Sequence, residues 1–194
     1  GFRAAAQDKL LVAGSGNPNI LLLDKQTGKV EWQHALEKGE ECNAVALTKK
    51  GEILYSYKRG AKLVTWDHQV VWDYKTPDKT ELQSATLLQN GGVLLGICGI
   101  PAQFIELDKK GKEVNKVTLN LEVERPHSQF RQVFQLRNSN YLIPVMAKQK
   151  VLEVSRKGKI IAEHQIEGKA FSSLELPDGN LLLPCGDNHY YIVM

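Results

Sequence analysis

The stretch Val45-Ala46-Leu47-Thr48-Lys49-Lys50-Gly51-Glu52-Ile53-Leu54-Tyr55 sets two short apolar runs on either side of a polar turn that closes on a glycine. Such a pattern reads as a hairpin, because β-rich runs need a residue tolerant of positive φ where the chain reverses. The same pattern returns three times. Asn90-Gly91 lies between Ala85 to Leu88 and Val93-Leu94-Leu95, and Asn138-Ser139 lies between Val133 to Leu136 and Tyr141-Leu142-Ile143. Asp178-Gly179 lies between Leu174 to Leu176 and Leu181-Leu182-Leu183. The turn residues at 51, 91, 139 and 179 are 40, 48 and 40 residues apart.

A second class of turn falls between these hairpins, at Thr27-Gly28-Lys29, His68-Gln69, Lys110-Gly111-Lys112 and Lys157-Gly158-Lys159. Each repeat therefore holds four strands. An imperfect period of about 40 residues built from four short strands is the signature of a β-propeller, a ring of four-stranded antiparallel blades. A two-sheet sandwich offers similar strands without the self-similarity. The repeats predict one domain over residues 1–194, with units at approximately 9–42, 43–83, 84–130, 131–171 and 172–194. Counted from Lys9 to Met194, the units hold three strands, three full blades and three strands. Because unpaired blade edges invite aggregation, this count predicts a ring that continues past Met194 to six blades, about four and a half of them in this chain.

Composition excludes several function classes. The 25 basic and 22 acidic residues are interspersed, as in Asp24-Lys25, Glu37-Lys38 and Asp108-Lys109-Lys110, and the formal charge is only +3. A nucleic-acid footprint gathers its basic residues into a stripe with exposed aromatics, so no nucleic-acid partner is expected. No apolar run approaches the ~18 residues of a membrane-spanning helix. The start, Gly1-Phe2-Arg3, has neither an initiator Met nor a signal peptide, as in a trimmed product. Cys42, Cys98 and Cys185 are far apart and odd in number, which argues against a zinc site and a disulfide framework. One bridge with a leftover thiol is compatible with them. Cys98-Gly99 and Cys185-Gly186 end equivalent strands and read as small buried hydrophobes.

The segment Leu23-Asp24-Lys25-Gln26-Thr27-Gly28-Lys29-Val30-Glu31-Trp32, echoed by Trp66-Asp67-His68-Gln69-Val70-Val71-Trp72, carries a D-x-x-T-G-x-x-x-W pattern. It resembles the repeats of quinoprotein-like propellers related to pyrroloquinoline quinone enzymes. Physically, Asp opens the turn, Gly takes positive φ and Trp covers the groove between blades. The quinone enzymes that it resembles carry adjacent cysteines and calcium-binding acidic residues. This sequence has no adjacent cysteines, so the resemblance implies the fold and no cofactor. The segments Gly39 to Val45 and Glu124 to Gln132 are similar to uncharacterised six-bladed propellers of the bacterial cell envelope. That likeness implies a periplasmic or cell-envelope location.

Those two segments are unusual because their polar residues run into an innermost strand rather than a turn. Strand order puts the connections between blades and the loops between second and third strands on one face. The same mouth is expected to collect Glu41, Cys42, Asn43, Gln83, Ser84, His127, Gln129, Arg131, Ser172 and Ser173. The second-to-third-strand loops add Asn17, Arg59, Cys98, Asp187, Asn188 and His189. Arg131 suits a bidentate grip on a carboxylate, phosphate or sulfate, and His127 supplies a proton or a donor. Two readings follow. The first is a non-enzymatic module that binds a small polar or anionic ligand, a peptide or a glycan. The second is a propeller enzyme, a lyase, hydrolase or sulfuryl transferase, with His127 as acid or base and Arg131 holding an anion. On a strand, residues four apart share a face. No metal site is expected.

Overall fold

The computed structural model describes residues 8–14, 16–186 and 190–194. Among the described residues, 18 strands run in chain order through five antiparallel sheets, each a blade. Blade 1 is β1 (Lys9–Val12), β2 (Asn19–Asp24) and β3 (Val30–Ala35). Blade 2 is β4 (Cys42–Leu47), β5 (Ile53–Tyr57), β6 (Gly60–Val64) and β7 (Val70–Lys75). Blade 3 is β8 (Glu81–Leu87), β9 (Val93–Cys98), β10 (Ala102–Leu107) and β11 (Glu113–Leu119). Blade 4 is β12 (Phe134–Gln135), β13 (Tyr141–Val145), β14 (Lys150–Val154) and β15 (Ile160–Gln165). Blade 5 is β16 (Leu174–Glu175), β17 (Leu181–Cys185) and β18 (Tyr190–Val193).

The all-β propeller reading stands, and its blade count is corrected. A six-bladed ring with about four and a half blades in this chain is replaced by five blades, three of four strands and two of three. A three-stranded blade and a fraction of a four-stranded one have the same apolar runs, so the runs alone do not set the number of blades. Pairing, not run length, shows that β1-β2-β3 and β16-β17-β18 are each a sheet.

Local chemistry builds the turns. Asp24 Oδ1 accepts from the Gln26 and Thr27 backbone N–H groups at 3.1 and 2.8 Å and from the Thr27 hydroxyl at 2.8 Å. These bonds hold its carboxyl well below the usual carboxylate range. Gly28 follows at φ 69°. Trp32 then reaches blade 2, donating from Nε1 to the Trp66 carbonyl at 2.9 Å and meeting the Trp66 ring edge-on.

The core lies between blades rather than within one. Ile20 of blade 1 packs with Ile53, Tyr55 and Val64 of blade 2, whose Leu54, Leu63 and Trp72 pack with Leu95, Ile105 and Leu107 of blade 3. Phe104 of blade 3 meets Phe130, Tyr141 and Val154, and Leu142 and Val151 of blade 4 meet Leu183 of blade 5. Blades 2, 3 and 4 each pack a neighbour against both faces, which is why their second strands β5, β9 and β13 are buried at every position.

Candidate functional site

Two β-bulges shape the mouth. Register slips between Cys42 and Ala44 in β4 and between Leu82 and Ser84 in β8, leaving Asn43 and Gln83 as the extra residues. A bulged residue leaves the ladder and turns its side chain elsewhere. Asn43 Nδ2 donates to the Leu82 carbonyl of the next blade at 2.9 Å, and Gln83 Nε2 donates to Glu81 Oε2 at 3.2 Å.

Several of the expected mouth residues join one blade to the next. Ser84 Oγ accepts the Val133 backbone N–H at 3.0 Å, linking blades 3 and 4. Gln129, 1% exposed, clamps Gly99 on both sides: its Nε2 donates to the Gly99 carbonyl at 2.8 Å and its Oε1 accepts the Gly99 N–H at 3.0 Å. Ser172 Oγ donates to Gln132 Oε1 at 2.9 Å. Arg59 binds the Pro77 and Thr80 carbonyls and Asp78, and Asn17 accepts the Asn19 N–H. Ser173 is buried with no hydrogen-bond partner for its hydroxyl. Glu41 is exposed. Asp187, Asn188 and His189 lie outside the described residues.

The cysteines are core. Cys42, Cys98 and Cys185 are buried thiols, and burial pushes the Cys42 and Cys98 thiols up to about 12. A thiol held protonated is a poor nucleophile. Cys42 packs with Tyr55 and Tyr57 in the core between blades 1 and 2.

His127 and Arg131 do meet, by a route other than a strand. His127 sits in a single 3-10 turn, Pro126–Ser128, and β12 begins only at Phe134. Proline at the head of that turn fixes φ without losing a needed donor. The turn folds Arg131 back, so that its guanidinium reaches the His127 carbonyl at 2.5 Å and His127 Nε2 at 3.1 Å. The guanidinium lies over the ring of Phe171, in the connection into blade 5, 5.9 Å from the centroid. His127 Nδ1 is 2.8 Å from Glu81 Oε2, and Lys58 Nζ is 3.0 Å from Glu81 Oε1.

Donor logic fixes the tautomer. A guanidinium has no acceptor, so His127 Nε2 accepts and its proton resides on Nδ1, donated to Glu81. Burial pushes the Glu81 carboxyl up, but hydrogen bonds from His127 and Lys58 outweigh it and hold the carboxyl below its ordinary value. The result is a continuous chain, Lys58, Glu81, His127, Arg131, drawn from blade 2, blade 3 and the connection into blade 4. His127 is 65% exposed in it. Glu81 and Lys58 were missed in the sequence. Their signal was positional: Lys58 opens a second-to-third-strand turn and Glu81 opens an innermost strand, both on the mouth face.

On the opposite face, a cavity of about 220 Å³ opens between blades 2 and 3, with Leu63, Trp72 and Val93 at its base and Lys49, Lys50 and Lys109 among its walls. Among the described residues, no group of three or more His, Cys, Asp or Glu is arranged to hold a metal. No described helix is long and apolar enough to cross a membrane.

Five antiparallel blades with a polar mouth define the class, a β-propeller. The sequence matches the family described as Mal s 1 allergenic protein-like over residues 16–194, and the chain belongs to that family. No curated protein matches it. Among solved structures it is similar to a protein of unknown function from Bacteroides caccae, at 40% identity and TM-score 0.91 over 96% of this chain and 68% of that one. It is also similar to a streptogramin B lyase, at 11% identity and TM-score 0.74 over 98% of this chain and 66% of that one. BamB from Moraxella catarrhalis matches at 12% identity and TM-score 0.64 over 98% of this chain and 55% of that one. The last two likenesses show the fold alone. The chain spans between about half and two thirds of the length of these three structures.

Proposed function

We propose that this propeller is a non-enzymatic binding module of the bacterial cell envelope that takes a small polar or anionic ligand, or an acidic group of a peptide or glycan, at the mouth. The observation that carries the reading is the exposed chain from Lys58 through Glu81 and His127 to Arg131. It holds two cations against one carboxylate, so it carries a surplus positive charge. Arg131 is preorganised by two carbonyls and the Phe171 face, and exchanging its bond to His127 Nε2 for an oxyanion gives a charge-assisted contact. The envelope location rests on the resemblance of Gly39 to Val45 and Glu124 to Gln132.

The enzyme reading, with His127 as base, has the weaker support. Its Nε2 lone pair is already engaged by Arg131, and a base needs that lone pair for the proton it abstracts. Fold likeness to a streptogramin B lyase and to BamB supports neither reading over the other. The test is a titration with inorganic phosphate, sulfate and acetate. Saturable binding that falls at least tenfold in Arg131→Ala is the expected result. Binding that survives Arg131→Ala but is lost in Lys109→Ala would move the site to the opposite face.

A further inference from the structure

Away from the mouth, blades 1 and 2 bring two histidines together. His34 lies on β3 and His68 in the turn between β6 and β7, and their Nδ1 atoms are 3.1 Å apart. The ring centroids are 5.3 Å apart, which is the N···N distance plus a ring radius at each end, so the rings meet edge to edge with both nitrogens between them. Both are seated against Trp32, with centroids 5.9 and 5.4 Å from its ring and planes within 8° and 12° of it. Trp32 is itself pinned by its bond to the Trp66 carbonyl.

His68 is an expensive choice at this position. The equivalent turns use Gly28, Gly111 and Gly158 at φ 69°, 80° and 83°, whereas His68 adopts φ 65° with a side chain. A non-glycine residue there is strained, and such strain concentrates at functional positions.

We propose that His34 and His68 form a binding site for one late divalent transition-metal ion, with water completing its coordination shell. Two imidazole nitrogens bound cis to one ion at about 2.0–2.1 Å lie about 3 Å apart, close to the separation already present. In the free pair one Nδ1 carries a proton and donates it to the other. On binding, that proton moves through solvent to the Nε2 of the same ring, and the exposed His68 ring rotates to aim its freed lone pair at the ion. Both imidazoles stay neutral, so the exchange releases no net proton. Imidazole donors suit copper, nickel and zinc, and affinity rises to Cu²⁺ at the top of the series. Glu37 and Glu40 nearby are held by Lys62, which leaves the two histidines as the protein ligands.

The test is a titration of the tag-free protein with CuCl₂, read by calorimetry and by tryptophan fluorescence, because an ion at this site quenches the adjacent Trp32. One equivalent is expected to bind and quench. His34→Ala and His68→Gly are each expected to lower the affinity at least tenfold, while His164→Ala leaves it unchanged. His68→Gly restores the residue of the sister turns, and a thermal melt no lower than the parent's establishes that its fold is intact. No saturable binding to the parent protein, or equal affinity in His68→Gly, overturns the proposal.

Discussion

Blade 3 carries two carboxylates tied to cations from the blade 4 side, and they differ in their relation to water. Glu106 on β10 is 1% exposed, gripped by Arg156 through Nε and NH2 and by the Tyr141 hydroxyl at 2.7 Å. Glu81, at the start of β8, reaches Arg131 only through an exposed histidine. Burial opposes both negative charges, and both carboxyls are nevertheless held below their ordinary value by their partners. The buried group has no other partner to turn to, so it acts as a latch between blades. The partly exposed one is linked to Arg131 through a solvated histidine, and that link can be exchanged for a ligand at little cost. The same parts therefore serve stability in one place and recognition in the other.

Breaking the latch gives the largest effect. Arg156→Ala leaves the Glu106 charge buried without its cation, and a loss of about 3–5 kcal/mol is expected in chemical denaturation. A loss below about 1 kcal/mol would mean that water replaces the guanidinium. Next is Gln129→Ala, which leaves both backbone groups of Gly99 without their amide partner and is expected to cost about 1–3 kcal/mol. Denaturation of that variant at neutral pH checks it, and a change within experimental error would refute the clamp. Smallest is His127→Ala, expected to change stability by no more than about 1 kcal/mol because its ion pair is solvated.

Acid sharpens the same contrast. The Glu106 carboxyl is depressed in the folded protein relative to the unfolded chain, so its contribution to stability is present above the unfolded value of 4.5 and is lost as pH falls through the folded value. Unfolding free energy followed downward from pH 7 is expected to fall less steeply in Glu106→Gln than in the parent. Identical slopes would remove Glu106 from the acid response.

Much of the fold was legible because hairpins announce themselves locally. Lys50-Gly51 and Asp178-Gly179 lie in the turns that join β4 to β5 and β16 to β17, and both glycines take positive φ. Blade number was not legible, since it depends on which strands pair. At the mouth, the sequence located the polar residues without revealing their partners. Asn43 bonds a carbonyl 39 residues away and Gln129 a glycine 30 residues away, and no local pattern encodes such distances. The spacing of His127 and Arg131 suggested a strand, whereas Pro126 at the head of a turn was the signal that carried the geometry. Glu81 was hidden because its role needs a histidine 46 residues further along.

The account is tested most directly by long-range proton–nitrogen correlation spectra of the His127 side chain, recorded on the parent protein and Arg131→Ala during titration with inorganic phosphate. The expected result is a Nδ1–H tautomer in the free parent protein, shifted by phosphate with saturation, and no such shift in Arg131→Ala. A Nε2–H tautomer in the free protein, or an imidazole indifferent to phosphate, would contradict the site at the mouth.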